Sequence, residues 1–328
     1  MSALNHSIKL ACALLATSPA FAHDWNSARP DSHAPISVMG EHTHNAGEFM
    51  LSYRNMPMNM SGLQDGTKTV SAQEAINSGY TMVPTKMTMN MHMFGLMYAP
   101  SNQTTAMVML PYLEKDMDMQ MGMMGMTMSM DSKGAGDMKV GALHNIFSEE
   151  GQRLHLNLIM SLPTGSIDEE NDSGAVLPYA MQLGSGTFDL LPGITCTGQA
   201  EAFSYGAQAQ ATIRMGENDR DYTLGNRVKI QGWAQMPVHQ RVSLSVRLAY
   251  EDWQKIDGED AALNPMMTPA ADADLQGGNV LSAGAGMNLT LPAGNRLAIE
   301  YSKELAQDLD GLQMAQDDSL TVAWQFSF

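Results

Sequence analysis

The chain ends in a strict alternation. Leu320, Val322, Trp324, Phe326 and Phe328 are interleaved with Thr321, Ala323, Gln325 and Ser327. A period of two puts apolar side chains on one face and polar ones on the other, which a strand does and a helix does not. The same alternation, bounded by turn residues, recurs along the chain and predicts strands near 47–60, 85–99, 104–121, 126–147, 152–163, 186–198, 202–215, 223–237, 240–255, 279–291, 295–305 and 318–328. The fourth is expected to break around Asp131-Ser132-Lys133-Gly134. Connections alternate between tight turns, such as Pro292-Ala293-Gly294-Asn295, and long stretches at 61–84, 164–185, 256–278 and 306–317. Strands of about nine to eleven residues with dyad alternation, aromatic ends and alternating loop lengths are the pattern of a transmembrane barrel. The expectation is an all-β protein, a transmembrane antiparallel β-barrel of about twelve strands, with both termini on the periplasmic side.

Facing follows from the alternation. Phe203, Tyr205, Ala207, Ala209, Ala211 and Ile213 oppose Ser204, Gly206, Gln208, Gln210, Thr212 and Arg214; Val242, Leu244, Val246, Leu248 and Tyr250 oppose Arg241, Ser243, Ser245, Arg247 and Glu251. The polar set should line the lumen, where Arg214, Lys229, Arg247, Glu251 and Glu300 would give one wall charges of both signs. Such a wall suits a rigidifying salt-bridge lattice and a polar conduit equally well.

The start of the chain carries a leader pattern. Lys9 precedes the apolar run Leu10–Ala16, and Ala20-Phe21-Ala22 forms an A-x-A site before His23. The expected division is a signal peptide at 1–22, an N-terminal periplasmic segment or plug at 23–46 and a barrel at 47–328. Loss of Lys9 takes the formal charge from −17 to −18, and loss of Cys12 leaves Cys196 as the single mature cysteine, so no internal disulfide is expected. Acidic runs such as Asp168-Glu169-Glu170 fall in the presumptive loops, and nucleic acid, which needs Lys and Arg clusters, is not an expected partner.

Methionine changes the picture most. Of 31 methionines, 22 fall between Met39 and Met138, many at period two. Met87, Met89, Met91 and Met93 form one set; Met117, Met119, Met121, Met126, Met128 and Met130 form another with an internal mirror. If Gly122-Met123-Met124-Gly125 closes a hairpin, Met121 faces Met126, Met119 faces Met128 and Met117 faces Met130, with Cβ atoms about 5 Å apart. On strands whose other face is Phe49, Leu51 and Tyr53, or Phe94, Leu96 and Tyr98, or Ala106, Val108 and Leu110, the residues Met50, Met56, Met93, Met97, Met107 and Met109 point to the lumen. Thioethers are neutral, are not protonated at neutral pH and suit Cu(I), which makes these methionines candidate metal ligands together with His92, His42 and His44. Strict alternation puts His92 on the face opposite the sulfurs. The same lining also suits apolar or aromatic solutes, since methionine adapts its shape and packs on rings, or serves as filler.

No nucleophile elbow, phosphate loop, His-Glu-x-x-His or paired-cysteine metal site occurs, so no enzymatic activity is expected.

Leu162-Pro163-Thr164-Gly165-Ser166-Ile167-Asp168, followed by Gly184-Ser185-Gly186-Thr187-Phe188-Asp189-Leu190-Leu191-Pro192-Gly193, resembles the strand-loop-strand signature of outer-membrane barrels of the putative meta-pathway of phenol degradation family. His33-Ala34-Pro35-Ile36 and Val38-Met39-Gly40-Glu41-His42 resemble a methionine-rich branch of it. The resemblance implies an outer-membrane channel or transporter of a Gram-negative bacterium, for small aromatic or hydrophobic molecules, and supplies no catalytic residues. Three functions follow as expectations: a channel for copper or another soft metal ion, a passive channel for small aromatic or hydrophobic compounds, and a non-conducting surface protein that sequesters metal or absorbs oxidants. No cofactor is required, with Cu(I) as the candidate ligand. Expected partners are the lipid bilayer with its lipopolysaccharide, the outer-membrane insertion machinery acting on Phe328, and a small solute or metal ion.

Overall fold

A computed structural model describes residues 25–122, 125–149 and 151–328. The expected leader and cleavage site lie outside the described residues, as do Met123, Met124 and Glu150. The strands are β1 (Phe49–Gly66), β2 (Lys68–Val70), β3 (Met82–Ser101), β4 (Thr104–Met121), β5 (Met126–Ala135), β6 (Met138–Glu149), β7 (Gln152–Leu162), β8 (Phe188–Gln199), β9 (Ser204–Met215), β10 (Tyr222–Thr223), β11 (Arg227–His239), β12 (Val242–Trp253), β13 (Asp257–Gly258), β14 (Gly278–Thr290) and β15 (Asn295–Ser327). One short helix, α1 (Ala72–Asn77), is held by a capping box between Ser71 and Glu74.

Antiparallel pairing runs β15-β14-β12-β11-β9-β8-β7-β6-β4-β3-β1 and closes when β1 pairs with β15. Closure leaves the ring no open edge, which is what a lipid-spanning sheet requires, while β2 and β5 are each paired on one side only. β15 doubles back on itself. Its first limb pairs with β14 and its second with β1, and Arg296 Nη1 donates to Gln325 Oε1 (2.6 Å) between the limbs. The eleven strands of the ring therefore make twelve passes. The expected break in the fourth pass falls slightly later, at Gly136-Asp137, between β5 on the outer half of β4 and β6 on its inner half. Stretches expected to be loops are partly strand: 61–84 holds the end of β1, β2, α1 and the start of β3, and 306–317 is the bend of β15. The side chain of Gln307 bonds the backbone of Gln316 across that bend (2.6 and 3.0 Å).

The two stretches that carry the family likeness meet at Asp137. Its carboxylate accepts from Gly165 N (2.9 Å), Ser185 N (2.8 Å) and Ser185 Oγ (2.9 Å). Gly165 and Gly184 approach so closely that a Cβ on Gly165 would lie 2.7 Å from Leu183 O and one on Gly184 would lie 2.4 Å from Gly165 O. Cys196 lies on β8. The expectation of no disulfide concerned the chain after loss of Cys12, which lies outside the described residues.

Phe94, Leu110, Leu158, Ile230 and Val246 stand exposed on the outer surface, while Ser52, Gln208, Gln231, Arg247 and Glu300 are buried on the inner one. Phe49, Phe326 and Phe328 stack at the end where the chain closes. The tight turns gather at this end, so it is the periplasmic end by the way such barrels are built.

Residues 25–48 lie inside the ring at that end, bonded to inward side chains of most passes. Ser204 Oγ donates to Asp31 O, Ser243 Oγ to Pro30 O (2.8 Å) and Arg296 Nη2 to Ala34 O (2.8 Å). Gln208 Nε2 donates to Met39 O (3.0 Å), while His155 and Asn157 both reach Gly40 O at 2.9 Å. Glu300 holds the middle of the segment. It accepts from Ser37 N (3.0 Å), Ser37 Oγ (2.6 Å) and Arg247 Nε (2.6 Å), with Arg247 and Glu300 almost fully buried. Removing one partner of a buried pair leaves the other charge uncompensated, so Glu300→Ala is expected to cost about 3–5 kcal/mol. The check is the temperature at which the folded barrel band is lost in a heat-modifiability gel, which should fall.

Candidate functional site

The methionine hairpin has the mirror register read from the sequence. Met117 pairs with Met130, Met119 with Met128 and Met121 with Met126. The row continues sideways, since Met117 pairs with Met87 on β3 and Met87 with Met60 on β1. Four strands thus carry one line, Met60-Met87-Met117-Met130. Met58 pairs with Met89, and Met314, on the returning limb of β15, lies beside Leu63. Residues directly opposed on neighbouring strands share a face, so the sulfurs of a row lie side by side.

Loop 163–187 folds over part of this wall. Leu177 and Met181 pack on Met87, Met117, Met119 and Met130. Lys115 Nζ fixes the loop by donating to Ala180 O (2.8 Å) and Gln182 O (2.5 Å), and Ser132 Oγ donates to Met181 O (2.6 Å). What stays open is an outer vestibule of about 390 Å³. Met58, Met60, Met87, Met89, Met117 and Met314 border it on one side, and Arg227, Glu251 and Trp253 on the other. Lys229 Nζ lies 3.2 Å from Glu251 Oε2.

A second methionine group lies deeper. Met50, Met93, Met97, Met107 and Met109 are buried with Leu143, Ile159 and Leu191, and Met39 and Met91 pack against them. Met50, Met97, Met107 and Met109 therefore point inward as expected; Met56, on the same face of β1, is half-buried. Of the expected lumen charges, Arg247 and Glu300 pair with each other, Lys229 with Glu251, and Arg214 with Asp189.

Three of the proposed ligands are not with the sulfurs. His92 is on the outer face, with its Nδ1 2.8 Å from Tyr53 Oη and its Nε2 3.8 Å from a Glu114 oxygen. Its neighbours there are Asn55 and Asn90. The alternation that sends Met91 and Met93 inward sends the residue between them outward. His42 and His44 sit in the N-terminal segment, with their Nε2 atoms 3.2 Å apart. Met126, at the hairpin tip, is about half exposed.

The histidines form a group of their own. His42 Nδ1 lies 2.7 Å and His33 Nδ1 3.2 Å from the same oxygen, Glu41 Oε1. Burial lowers the pKa of His33 and His42, and it takes His44 down to about 4 with help from neighbouring His42. Burial pushes the Glu41 carboxyl up, but His42 and His33 outweigh it and hold Glu41 well below the usual carboxylate range. At neutral pH the group is three neutral imidazoles around one carboxylate.

His33, Glu41, Met181 and Met314 escape the sequence reading. The first two belong to a segment without periodicity, Met181 is isolated in a loop, and Met314 lies in the unrecognised bend of β15.

A closed antiparallel ring with an apolar exterior, a polar interior, and tight turns at one end with long loops at the other defines this protein as an outer-membrane β-barrel. Among solved structures it is similar to an outer membrane channel from Pseudomonas putida F1, at 13% identity and a TM-score of 0.63, over 89% of this chain and 99% of that one. It is also similar to the transport unit of the autotransporter AIDA-I from Escherichia coli (12%, TM-score 0.49, 89% and 94%). A Pseudomonas aeruginosa FadL homologue gives 10%, 0.45, 94% and 99%. At 13% identity the likeness to the Pseudomonas putida channel is one of fold. No curated protein matches the sequence. The chain belongs to the family described as putative MetA-pathway of phenol degradation, which matches residues 66–304.

Proposed function

We propose that this barrel is an outer-membrane channel that takes soft metal ions, copper(I) foremost, through its methionine-walled vestibule. The observation that carries the reading is the row Met60-Met87-Met117-Met130, unbroken across four strands, of which Met60, Met87 and Met117 border the open cavity together with Met58, Met89 and Met314. A sulfur-lined surface offers a soft cation several neutral ligands in succession. Weak, repeated sites let an ion enter and leave, which conduction requires. On the opposite wall the one carboxylate, Glu251, is paired by two cations, Arg227 and Lys229, so that wall supplies polar contacts without a deep cation trap.

X-ray absorption at the copper edge of the folded barrel loaded with Cu(I) tests this. The expected first shell is sulfur alone. A shell of nitrogen and oxygen would remove the methionines from the account.

One observation favours a second reading, a channel for small aromatic compounds. Trp253 shares the vestibule with the methionines, thioethers pack well against rings, and the family description names phenol degradation. Under that reading phenol, and not Cu(I), would compete for the vestibule.

A further inference from the structure

Away from the methionine wall, residues 33–44 bring together side chains that the vestibule does not use. Gly40 has φ +61, and a Cβ there would meet Asn157 Nδ2 at 2.8 Å, so the position needs glycine. The turn it makes, held through Gly40 O by His155 and Asn157, swings Glu41 and His42 back onto His33. One ligand atom from each of His33, Glu41 and His42 lies within 4.8 Å of the others.

We propose that His33, Glu41 and His42 form a binding site for a borderline divalent transition-metal ion, of the zinc or copper(II) class, at the periplasmic mouth. Two imidazoles and a carboxylate are a common three-ligand set for such ions, leaving a fourth position open. Ligands about 2.0–2.1 Å from a tetrahedral ion lie roughly 3.3 Å apart, and the His33–Glu41 spacing of 3.2 Å is already there. His42 moves apart from 2.7 Å by giving up its hydrogen bond to Glu41.

The outer shell is also present. With His42 Nδ1 on the metal, its Nε2–H donates to His44 Nε2 at 3.2 Å, and His44 Nδ1–H points to Glu48 Oε2 at 3.5 Å. A ligating histidine is oriented by an acceptor for its other ring N–H, and here that acceptor is a second imidazole backed by a carboxylate. Arg296 stays 3.9 Å from Glu41, with its guanidinium bonded to Gln325, Asn288 and Ala34 O. A cavity of about 300 Å³ between the segment and the strand ends gives an ion its way in past His33, His42 and His44.

The test uses the folded full-length barrel in detergent, titrated with Co(II) as the spectroscopic probe. The expected result is one Co(II) per barrel with four-coordinate visible absorption, displaced by Zn(II). Glu41→Gln and His33→Ala should each weaken binding about 100-fold or more. His44→Gln, acting only through His42, should weaken it about 10–100-fold with the spectrum kept. A barrel with Met117, Met119, Met121, Met126, Met128 and Met130 changed to leucine should bind Co(II) normally, which separates this site from the vestibule. Absence of saturable binding, or binding equal in wild type and Glu41→Gln, would overturn the proposal. Since a variant can release the segment, X-ray absorption of Co(II)-loaded wild type decides independently: two imidazoles support the site, and none refutes it.

Discussion

Replacing Met117, Met119, Met121, Met126, Met128 and Met130 together by leucine is expected to weaken Cu(I) binding by at least about 100-fold, close to 2.7 kcal/mol, in competition with a chromophoric chelator under anaerobic, reducing conditions. The barrel should survive the change. Leucine and methionine are near in volume, and such swaps usually cost under about 1.5 kcal/mol each. The strand register does not depend on sulfur, because it is set by the ladder from Tyr112–Ala135 to Met121–Met126 and by the alternation on either side. The loss is expected to be graded. Met117 and Met130 sit in the cross-strand row, so changing that pair should account for most of it, whereas half-exposed Met126 should matter least. Equal binding by variant and wild type would reduce the methionines to lining.

Removing residues 25–46 is expected to open the barrel. Twelve passes place it between rings of about eight strands, whose interiors side chains fill, and those of about sixteen, which hold an aqueous channel. Here the segment occupies much of the periplasmic interior, with Ile36 and Val38 almost fully buried against Ala298, Ala323 and Trp233. Without it, Ser204, Ser243, Gln235 and Glu300 would face water, which their polarity tolerates. In planar bilayers the shortened chain should give larger, steadier conductance steps than the full chain. Its Cu(I) affinity should not change, because the vestibule shares no residue with the segment. Identical conductance in both would mean that the segment leaves the conducting path free.

These two results probe opposite ends of the molecule, and the ends differed in how far they could be read from sequence. The strands and their facing were legible because lipid on one side and a polar lumen on the other impose a period of two, as in Val242–Tyr250 and Phe203–Ile213. The hairpin register was legible for a local reason: a four-residue turn fixes which methionines face each other. The bend of β15 was not. Around Gln307–Gln316 the apolar residues Leu309, Leu312 and Met314 fall at uneven spacing among polar ones, and glutamine side chains bond backbone across the bend, so no strict alternation marks it. His33 and Glu41 were hidden for another reason. Their meeting depends on the left-handed turn at Gly40 and on anchors more than a hundred residues away, such as Asn157 and Glu300. Met181 and Leu177 likewise reach the methionine wall only because Lys115 and Ser132 capture their loop.

The most direct test of the central claim is Cu(I) entry into proteoliposomes loaded with a membrane-impermeant chromophoric chelator. The account predicts saturable Cu(I) entry through the barrel, slowed by Ag(I), unaffected by phenol and largely lost in the six-leucine barrel. Entry at the rate of empty liposomes, or entry blocked by phenol and indifferent to the leucines, would contradict it.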